Sequence, residues 1–341
     1  MITNIKLTNF RKFQSFELTC NQKVVIITGQ NGTGKTSILE AIYLTSTSKS
    51  HRIHELDHLI LEKEPYAVVE LNTEKHFRVV LSKDGRNYAI NDASYPKLSD
   101  FIGQLSVILF SPLDIDLIRG SKAIRRHFLD LQISLLDKSY LRLITEYKHL
   151  IKERNDLLKQ FSNEKTAILD IITAQIVERM KPLYQKRVDF LQALNEELKN
   201  VCKNLECEEI TLQYLPTYKE ENMLESFKSR KNIDLATKTT GIGLHRDDFN
   251  IYLNALSALS YGSEGQIRTA ALAIQLALKN IYQKHHKQVI LLLDDVFASL
   301  DQKRINHIMN YIKNEHQTFI TTTSLFNIPD GLLKDAKIVK L

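Results

Sequence analysis

The chain has 341 residues and a formal net charge of +6, a basic balance that permits nucleic-acid binding without establishing it. Its length suffices for a core divided into two lobes, and no run approaches the roughly 18 apolar residues of a membrane helix. The alternating start of the chain lacks the apolar core of a signal peptide, and three cysteines without zinc-like spacing are expected to be reduced thiols in the cytosol.

The first functional element in chain order is a predicted strand, loop and helix. Residues 24–27 are apolar and β-branched, which predicts a central strand, and residues 37–44 have helical spacing. The loop between them fits the phosphate-binding pattern G-x-x-x-x-G-K-[ST], in which a lysine reaches the β- and γ-phosphates and a hydroxyl binds Mg²⁺. A chance glycine-rich turn is the alternative. The predicted ATP-binding residues are Gly29, Gln30, Asn31, Gly32, Thr33, Gly34, Lys35 and Thr36.

The middle of the chain changes from strand-like to helical spacing. Residues 67–71, 77–81 and 105–110 predict strands, with a hairpin turn at Asp84-Gly85. From about residue 123 to 205 the apolar residues recur with helical spacing, and Pro182 predicts a break or kink. Residues 217–240 are polar and the most linker-like. Gln104 precedes a strand, which favours a structural role over that of a switch-loop glutamine.

A short motif precedes the predicted helix at residues 267–281. Ser263 is suited to cap this helix, and Gly265 keeps its first turn open to close backbone approach. Such a helix end attracts anions, so Ser263, Gly265 and Gln266 are candidate nucleotide-binding residues. A plain helix cap is the alternative. The following pair, His285-His286, is expected to be solvated rather than a metal site.

Two carboxylates follow the apolar run at residues 289–293, which predicts a buried strand. A carboxylate at the tip of such a strand is well placed to hold Mg²⁺. We expect Asp294 to be the metal ligand together with Thr36, and Asp295 to polarise the attacking water, with Lys35 as the other catalytic residue. A helix-capping pair of aspartates is the alternative.

These motifs, in this order and spacing, resemble the ABC-type ATPases of chromosome maintenance and, most closely among them, the RecF family. The resemblance extends over the whole chain. It departs at Leu113, Lys122, Leu244 and Ser299, none of which is a predicted phosphate or metal ligand. Further stretches that carry it are Leu7-Thr8-Asn9-Phe10-Arg11, Phe110-Ser111-Pro112, Arg125-Arg126-His127-Phe128-Leu129-Asp130, His245-Arg246-Asp247-Asp248 and Ala298-Ser299-Leu300-Asp301.

The resemblance implies an α/β fold: an ABC-type P-loop ATPase head with an inserted compact helical lobe and no long coiled coil. The expected divisions are 1–122 and 236–341 for the two parts of the ATPase lobe and 123–235 for the helical lobe. At about 1.5 Å per residue, the helical residues available, split among several helices, make a compact lobe rather than a long arm.

The resemblance also implies a function. It indicates a cytoplasmic, ATP-dependent protein of recombinational repair and replication restart that clamps double-stranded DNA near single-strand gaps. Two head-to-tail subunits would sandwich ATP and Mg²⁺, with Ser263 of one facing Lys35 of the other. The implied partners are RecR- and RecO-type mediators, which load RecA. Hydrolysis is expected to be slow and stimulated by DNA. ABC-type enzymes usually have glutamate where this chain has Asp295, and a histidine in the later switch loop, where this chain has Thr321-Thr322-Thr323. The alternative is that backbone shifts accommodate both substitutions.

The sequence leaves other interpretations open. A structural SMC-like DNA tether is the main alternative, and a transporter ATPase would need a membrane partner that nothing in the sequence indicates. Arg11 is either a phosphate contact or a surface arginine, and residues 245–248 form either a salt-bridge network or a functional relay. A basic track for DNA phosphates is plausible; its candidates are Lys122, Arg125, Arg126, Lys138, Arg142, Lys148 and Lys152.

Overall fold

The computed structural model describes residues 1–53, 55–162, 165–285, 288–299, 305–306, 309 and 317–341. Contacts between residues divide the chain into two compact units. The first unit comprises Met1–Asp114, Lys203–Cys207 and Leu272–Leu341, and the second comprises Ile115–Cys202 and Glu208–Ala271. Each unit therefore combines segments that are distant in sequence.

An antiparallel sheet of six strands forms one layer of the first unit. Its strands are β1 (Asn4–Phe10), β2 (Phe13–Thr19), β4 (Tyr66–Asn72), β5 (His76–Ser82), β6 (Gly85–Ile90) and β7 (Ala93–Ser94). They pair in the order β2-β1-β4-β5-β6-β7. Ser82 pairs with Gly85, so β5 and β6 form a tight hairpin whose turn residues are Lys83 and Asp84, one position before the predicted Asp84-Gly85.

A parallel sheet of five strands forms the second layer of this unit. Its strands are β3 (Val24–Thr28), β8 (Val107–Phe110), β12 (Ile290–Asp294), β13 (Thr318–Thr322) and β14 (Ala336–Lys340). The order is β14-β3-β13-β12-β8, so β13 lies between the strand that leads into the phosphate loop and the strand that ends in Asp294. Apolar runs suit strands that are buried on both faces. Because all pairs are parallel, the carboxyl ends of β3, β13 and β12 meet at one edge.

Helices of the first unit include α1 (Lys35–Thr47), which contacts β8, β12 and β13. Its Ile38, Leu39 and Ile42 are fully buried in a core that also contains Leu292 and Phe319. This packing anchors the helix that directly follows the phosphate loop. The unit also contains the short helices α2 (Leu98–Phe101) and α10 (Asp330–Leu333).

The second unit is mainly helical and contains one small antiparallel sheet. Its strands are β9 (Ile210–Leu215), β10 (Asp248–Leu253) and β11 (Leu256–Ser257), in the order β11-β10-β9. Its helices include α6 and α9, each of which also contributes residues to the first unit. They are α3 (Asp116–Arg119), α4 (Lys122–Leu136), α5 (Lys138–Lys159), α6 (Thr166–Leu205), α7 (Met223–Thr237), α8 (Ala258–Tyr261) and α9 (Glu264–His285).

The prediction of a linker in this region was wrong, and Pro182, which was predicted to break or kink its helix, does not end it. Helix α6 continues across Pro182, because the neighbouring Met180 and Leu183 are fully buried and their packing outweighs the lost backbone hydrogen bond. The predicted linker contains α7, which has too few apolar residues to show helical spacing in the sequence. Phe227 is 1% exposed, and Asp234 is fully buried with its carboxylate on Arg154 at 2.8 Å.

The compact units and the predicted lobes place residues 236–271 differently. The sequence groups them with the ATPase lobe, whereas contacts group them with the helical second unit. Strand pairing accounts for this, since β10 pairs with β9 along its whole length, from Asp248↔Leu215 to Leu253↔Ile210. The assignment of residues 1–122 and 236–341 to an ATPase lobe and of 123–235 to a helical lobe stays a prediction.

Candidate nucleotide site

The phosphate loop turns between β3 and α1 with two glycines in left-handed conformation. Gly32 has φ 80° and Gly34 has φ 102°, a region that side chains with a Cβ rarely adopt. A Cβ on Gly34 would also lie 2.5 Å from Cζ of Phe13. Gly34 is the N-cap of α1 and supplies no side-chain cap. The first turn of this helix is therefore suited to a phosphate rather than to a side chain of its own.

Lys35 is folded back onto its own loop. Its Nζ donates to the carbonyl oxygens of Gly29 at 2.7 Å and Gln30 at 2.9 Å. Thr33 closes the same turn, because its hydroxyl donates to the carbonyl of Gln30 at 2.9 Å. The ammonium group is thus held where the loop surrounds it, and a phosphate would compete for it with two neutral carbonyl oxygens.

Thr36 and Asp294 meet although they are 258 positions apart. The Thr36 hydroxyl donates to Oδ1 of Asp294 at 2.9 Å. Thr321 donates to the same oxygen at 2.7 Å. The sheet order brings these groups together, because β12 and β3 end on either side of β13. A hydroxyl and a carboxylate at this separation form the oxygen-donor pair that Mg²⁺ prefers.

Asp295 follows β12 in a left-handed backbone conformation. Its φ is 53°, and its backbone N–H donates to the Thr321 hydroxyl at 2.9 Å. Within the described part of the chain, its Oδ1 is buried and has no hydrogen-bond partner. A buried carboxylate oxygen without a donor is suited to accept a hydrogen bond from water.

These residues line one cleft of the first unit with a volume of about 520 Å³. Of the predicted site residues it contains Asn31, Gly32, Gly34, Lys35, Thr36, Asp294 and Asp295. Gly29, Gln30 and Thr33 act on the cleft through the loop contacts described above. The other lining residues are Arg11, Lys12, Ser37, Arg52, His58, Leu61, Glu62 and Thr321.

Arg11 lies in this cleft, and its guanidinium makes a bidentate pair with Glu40, a partner that sequence reasoning missed. Nε and Nη2 of Arg11 each lie 2.8 Å from a Glu40 carboxylate oxygen. The Glu40 side chain is fully buried and also accepts from the Ser50 hydroxyl. The pair joins the β1–β2 turn to the middle of α1. Nothing in the sequence signals it, apart from the polar Glu40 within an otherwise apolar helical face.

Lys12 and Phe13 brace the phosphate loop from the same turn. Nζ of Lys12 donates to the carbonyl of Gly32 at 2.8 Å, and the Phe13 ring occupies the space beside Gly34. Sequence reasoning missed both residues, since their spacing fits an ordinary hairpin.

Ser263 and Gln266 form a reciprocal cap at the start of α9. The Ser263 N–H donates to Oε1 of Gln266 at 2.8 Å, and the Gln266 N–H donates to the Ser263 hydroxyl at 3.3 Å. Nε2 of Gln266 also donates to Glu208 at 2.8 Å, and Thr269 donates to the carbonyl of Gly265. This is a capping box. It belongs to the second unit, and the role of its residues in nucleotide binding stays a prediction.

Residues 245–248 are held by hydrogen bonds inside the second unit. Arg125 pairs with both oxygens of Asp248 at 2.7 and 3.1 Å. Asp247 accepts from the Tyr214 hydroxyl at 2.6 Å, and burial raises the pKa of its carboxyl. Burial also lowers the pKa of His245 to about 4. The contacts favour the structural interpretation of this stretch over a relay.

Gln104 lies away from the cleft. It precedes β8, whose carboxyl end is level with that of β12, so Gln104 is at the opposite edge of the sheet from Asp294. Its side chain bonds to Lys75 and to the carbonyl of Asp100, each at 3.3 Å. His286, Leu300 and Asp301 lie outside the described residues.

The described residues contain no cluster of three or more histidine, cysteine or acidic side chains that could hold a metal ion. They also contain no helix with both the length and the apolar character needed to cross a membrane.

The fold and the cleft define the class of protein as an ABC-type P-loop ATPase head. The residues present fit a nucleoside triphosphate, because the left-handed glycines and the uncapped helix start leave backbone N–H groups for phosphate oxygens. They fit Mg²⁺ through the Thr36 hydroxyl and the Asp294 carboxylate. The parallel sheet supplies all of these groups from one edge.

Comparisons with known proteins agree with this class. The family model described as RecF/RecN/SMC N terminal domain matches residues 1–327. The DNA replication and repair protein RecF of Acholeplasma laidlawii (strain PG-8A) is 38% identical over 330 residues, which cover 96% of this chain and 95% of that protein. The protein of the same name from Bacillus cytotoxicus (strain DSM 22905 / CIP 110041 / 391-98 / NVH 391-98) is 36% identical and covers 99% and 96%.

Solved structures show the same likeness. The structure of the recombination mediator protein RecF with ATP, in the RecFOR pathway, matches with a TM-score of 0.88 at 28% identity, over 96% of this chain and 93% of that one. An SMC head bound to the C-winged helix domain of ScpA matches with a TM-score of 0.53 at 15% identity, over 95% and 89%, which shows the fold alone. The chain belongs to the RecF family. The predicted fold class is confirmed: the described part of the chain is an ATPase head with helices and no long coiled coil.

Proposed function

We propose that this protein is an ATP-dependent DNA-binding protein of recombinational repair and replication restart. The contact between Thr36 and Asp294 carries the proposal, because it joins the phosphate loop to a metal-binding carboxylate at one edge of the sheet. The relatives named DNA replication and repair protein RecF and the RecF structure with ATP support it. Action on chromosomal DNA implies a cytoplasmic location.

The roles of the cleft residues follow from their chemistry. Backbone N–H groups of the loop and the Lys35 ammonium hold the β- and γ-phosphates. Thr36 and Asp294 hold Mg²⁺, which supplies charge neutralisation and Lewis-acid activation when bound. Asp295 orients and polarises the attacking water through its unpartnered carboxylate oxygen.

Hydrolysis is slow in this proposal and is stimulated by DNA. Asp295 is one methylene shorter than the glutamate usual in ABC-type enzymes, and Thr321-Thr322-Thr323 stands where the loop with the switch histidine would fall. A misplacement of about 1 Å in a reacting geometry reduces rates by on the order of a hundredfold. ATP therefore acts as a clamp signal as much as a fuel.

The active form is a homodimer in which ATP joins two subunits. Ser263, Gly265 and Gln266 of one protomer contact the phosphates bound by Lys35 of its partner. The capping box supports this, because it orders the start of α9, whose dipole favours anions. Loss of the γ-phosphate removes the contact that differs between the closed and open forms, and the dimer opens.

Double-stranded DNA near single-strand gaps is the proposed substrate, bound through phosphates and without base readout. Among the basic candidates, Arg125 is 8% exposed and paired with Asp248, and Lys148 is paired with Asp130. These two cations hold the second unit together. The exposed Lys122, Lys138, Arg142 and Lys152 remain as candidates for DNA contact. Lys122 and Arg142 each lie only 3.9 Å from a carboxylate oxygen, so Lys138 and Lys152 are the stronger candidates. Mediators of the RecR and RecO type are the proposed partners in loading RecA.

Duplex binding measured by fluorescence anisotropy tests this function. Affinity for a gapped duplex should rise when ATP is added and fall as salt increases, since the contacts are ionic. ATP hydrolysis should be faster with duplex DNA than without it. Equal affinity with and without ATP, together with hydrolysis that DNA does not change, would contradict the proposal.

A further inference from the structure

Thr321 lies on β13, which runs between β3, the strand that leads into the phosphate loop, and β12, the strand that ends in Asp294. It pairs with Ile27 on β3 and with Asp294 on β12. Its side chain lines the nucleotide cleft although the residue is only 1% exposed. The hydroxyl is therefore fixed by the packing of the sheet and points at the edge where the acidic pair lies.

This hydroxyl contacts both acidic residues, each in a different way. It donates to Oδ1 of Asp294 at 2.7 Å and accepts from the backbone N–H of Asp295 at 2.9 Å. A threonine hydroxyl has one proton to donate and two lone pairs to accept with. The hydroxyl proton therefore orients the Asp294 side chain, and a hydroxyl lone pair holds the backbone of Asp295.

The second contact bears on a conformation that needs support. Asp295 has φ 53°, a left-handed conformation that costs free energy for a residue with a side chain, although aspartate adopts it more readily than most residues. Such conformations persist where several surrounding contacts hold the backbone in place. The hydrogen bond from the Asp295 N–H to Thr321 is one such contact. It sets the direction in which the Asp295 side chain points away from the backbone.

We propose that Thr321 is a positioning residue of the hydrolytic site. Its hydroxyl holds the metal-binding Asp294 and the water-polarising Asp295 in a fixed arrangement relative to each other. This inference rests on the roles proposed above for the two aspartates. Thr36 cannot replace it, since Thr36 also donates to Asp294 but is itself a proposed metal ligand and does not reach the Asp295 backbone among the contacts of the described residues.

The test variant is Thr321→Val, which keeps the branched shape and removes the hydroxyl. Binding of a fluorescent ATP analogue is measured in EDTA and in Mg²⁺. Affinity in EDTA should stay within about twofold of wild type, because the loop and Lys35 are untouched. The gain in affinity on adding Mg²⁺ should shrink, and kcat should fall by about tenfold or more as the acidic pair loses its alignment. Thr321→Ser should restore both.

Thr318→Val is the matched control. Thr318 begins the same strand and is fully buried, and its hydroxyl has no hydrogen-bond partner in the described part of the chain. The same chemical change there should leave the Mg²⁺-dependent gain and kcat unchanged. It should not lower the melting temperature, because it removes a buried hydroxyl without a partner.

The outcomes separate this proposal from the function on which it rests. Wild-type values of both quantities in a folded Thr321→Val protein would overturn the positioning role, as would equal losses in Thr318→Val. If Thr321→Val does not fold, a folded Thr321→Ser with a large loss in both quantities would overturn it as well. A wild-type protein that binds the analogue but hydrolyses no ATP would contradict the proposed function, while the Mg²⁺-dependent gain would still decide the role of Thr321.

Discussion

Asp295 is held by its backbone, and its carboxylate is left for chemistry. The N–H is bonded to Thr321, while Oδ1 is buried without a partner among the described residues. Asp294, by contrast, receives two hydroxyl donors on a single carboxylate oxygen. The two adjacent acids therefore differ in environment, which fits one metal ligand and one group that polarises water.

Replacement of Asp295 by asparagine tests this division of roles. Asp295→Asn keeps the size of the side chain and leaves Asp294 to hold Mg²⁺, so ATP should still bind. Hydrolysis should fall by about a hundredfold or more, because general acid–base assistance contributes roughly 10² to 10⁴. The measurement is single-turnover hydrolysis with saturating ATP. Hydrolysis at the wild-type rate would show that Asp295 is not the catalytic carboxylate.

His245 makes the stability of the protein sensitive to acid. Its Nε2 lies 3.0 Å from the Thr240 carbonyl, which can only accept, so this nitrogen carries the proton. Nδ1 then accepts from the Tyr147 hydroxyl at 2.7 Å. The neutral ring is thus satisfied at both nitrogens, and burial lowers its pKa to about 4 from 6.5.

The sign of the pH effect follows from this lowered pKa. Well above pH 6.5, His245 is neutral in both the folded and the unfolded state. As the pH falls from 6.5 towards 4, the unfolded state takes up the proton first, so the free energy of unfolding decreases. A shift of this size corresponds to a loss of at most about 3 kcal/mol.

Urea unfolding of wild type and His245→Gln at pH 7.5 and pH 4.5 measures the effect. Wild type should lose about 2 to 3 kcal/mol more than the variant over this range, because glutamine does not titrate. Other titrating groups contribute to both proteins and cancel in the difference. Equal losses in the two proteins would contradict the buried, neutral state of His245.

Among the secondary-structure elements, α9 begins with a capping box that serves its own backbone. Ser263 and Gln266 satisfy each other's N–H groups, so an isolated chain has a structural use for both side chains. The proposed nucleotide role adds to this local one. A variant must therefore distinguish loss of the cap from loss of contact between subunits.

Ser263→Arg makes this distinction. The bulky cation should block approach of a second subunit's phosphates, so ATP-dependent dimerisation and DNA-stimulated hydrolysis should fail. ATP binding to the single chain should persist, because Lys35 and Thr36 are untouched. Ser263→Ala is the control for the cap, because it removes only the capping hydroxyl. Loss of this cap costs roughly 1 kcal/mol in the free energy of unfolding. Both variants are compared by nucleotide binding, hydrolysis and melting temperature.

A mixture of Ser263→Arg with Lys35→Ala sharpens the result. A mixed dimer would contain one intact composite site and one site with both lesions, so partial hydrolysis should return. Background hydrolysis with heterodimers shown to form would argue against shared sites. Wild-type hydrolysis by Ser263→Arg alone would dispose of the proposed role of the α9 start.

The sequence predicts elements well where their determinants are local. The strand, loop and helix from β3 to α1 follow from adjacent residues, as does the strand that ends in Asp294. Helix α7 was missed because it is held by a buried ion pair between Asp234 and Arg154, which no local pattern shows. Helix α6 continues across Pro182 because burial of Met180 and Leu183 on either side outweighs the backbone hydrogen bond that the proline removes.

At the scale of the whole molecule, the nucleotide site depends on sheet order. The sequence identifies Thr36 and Asp294 separately, but their contact requires β13 between β3 and β12. Strand order is set by long-range packing, so the place of Thr321 between them could not be read from the sequence. The pair of Arg11 with Glu40 is hidden for the same reason.

The central claim is that ATP joins two copies of this chain on duplex DNA, and light scattering after size exclusion tests it most directly. The mass of the protein should rise from 39.4 kDa to about twice that value when ATP and duplex DNA are both present. Lys35→Ala should stay folded, since Lys35 lies at a loop–helix junction, and should remain at the mass of one chain. A wild-type protein that stays at one chain with ATP and duplex DNA, or a Lys35→Ala protein that doubles in mass as wild type does, would contradict the account.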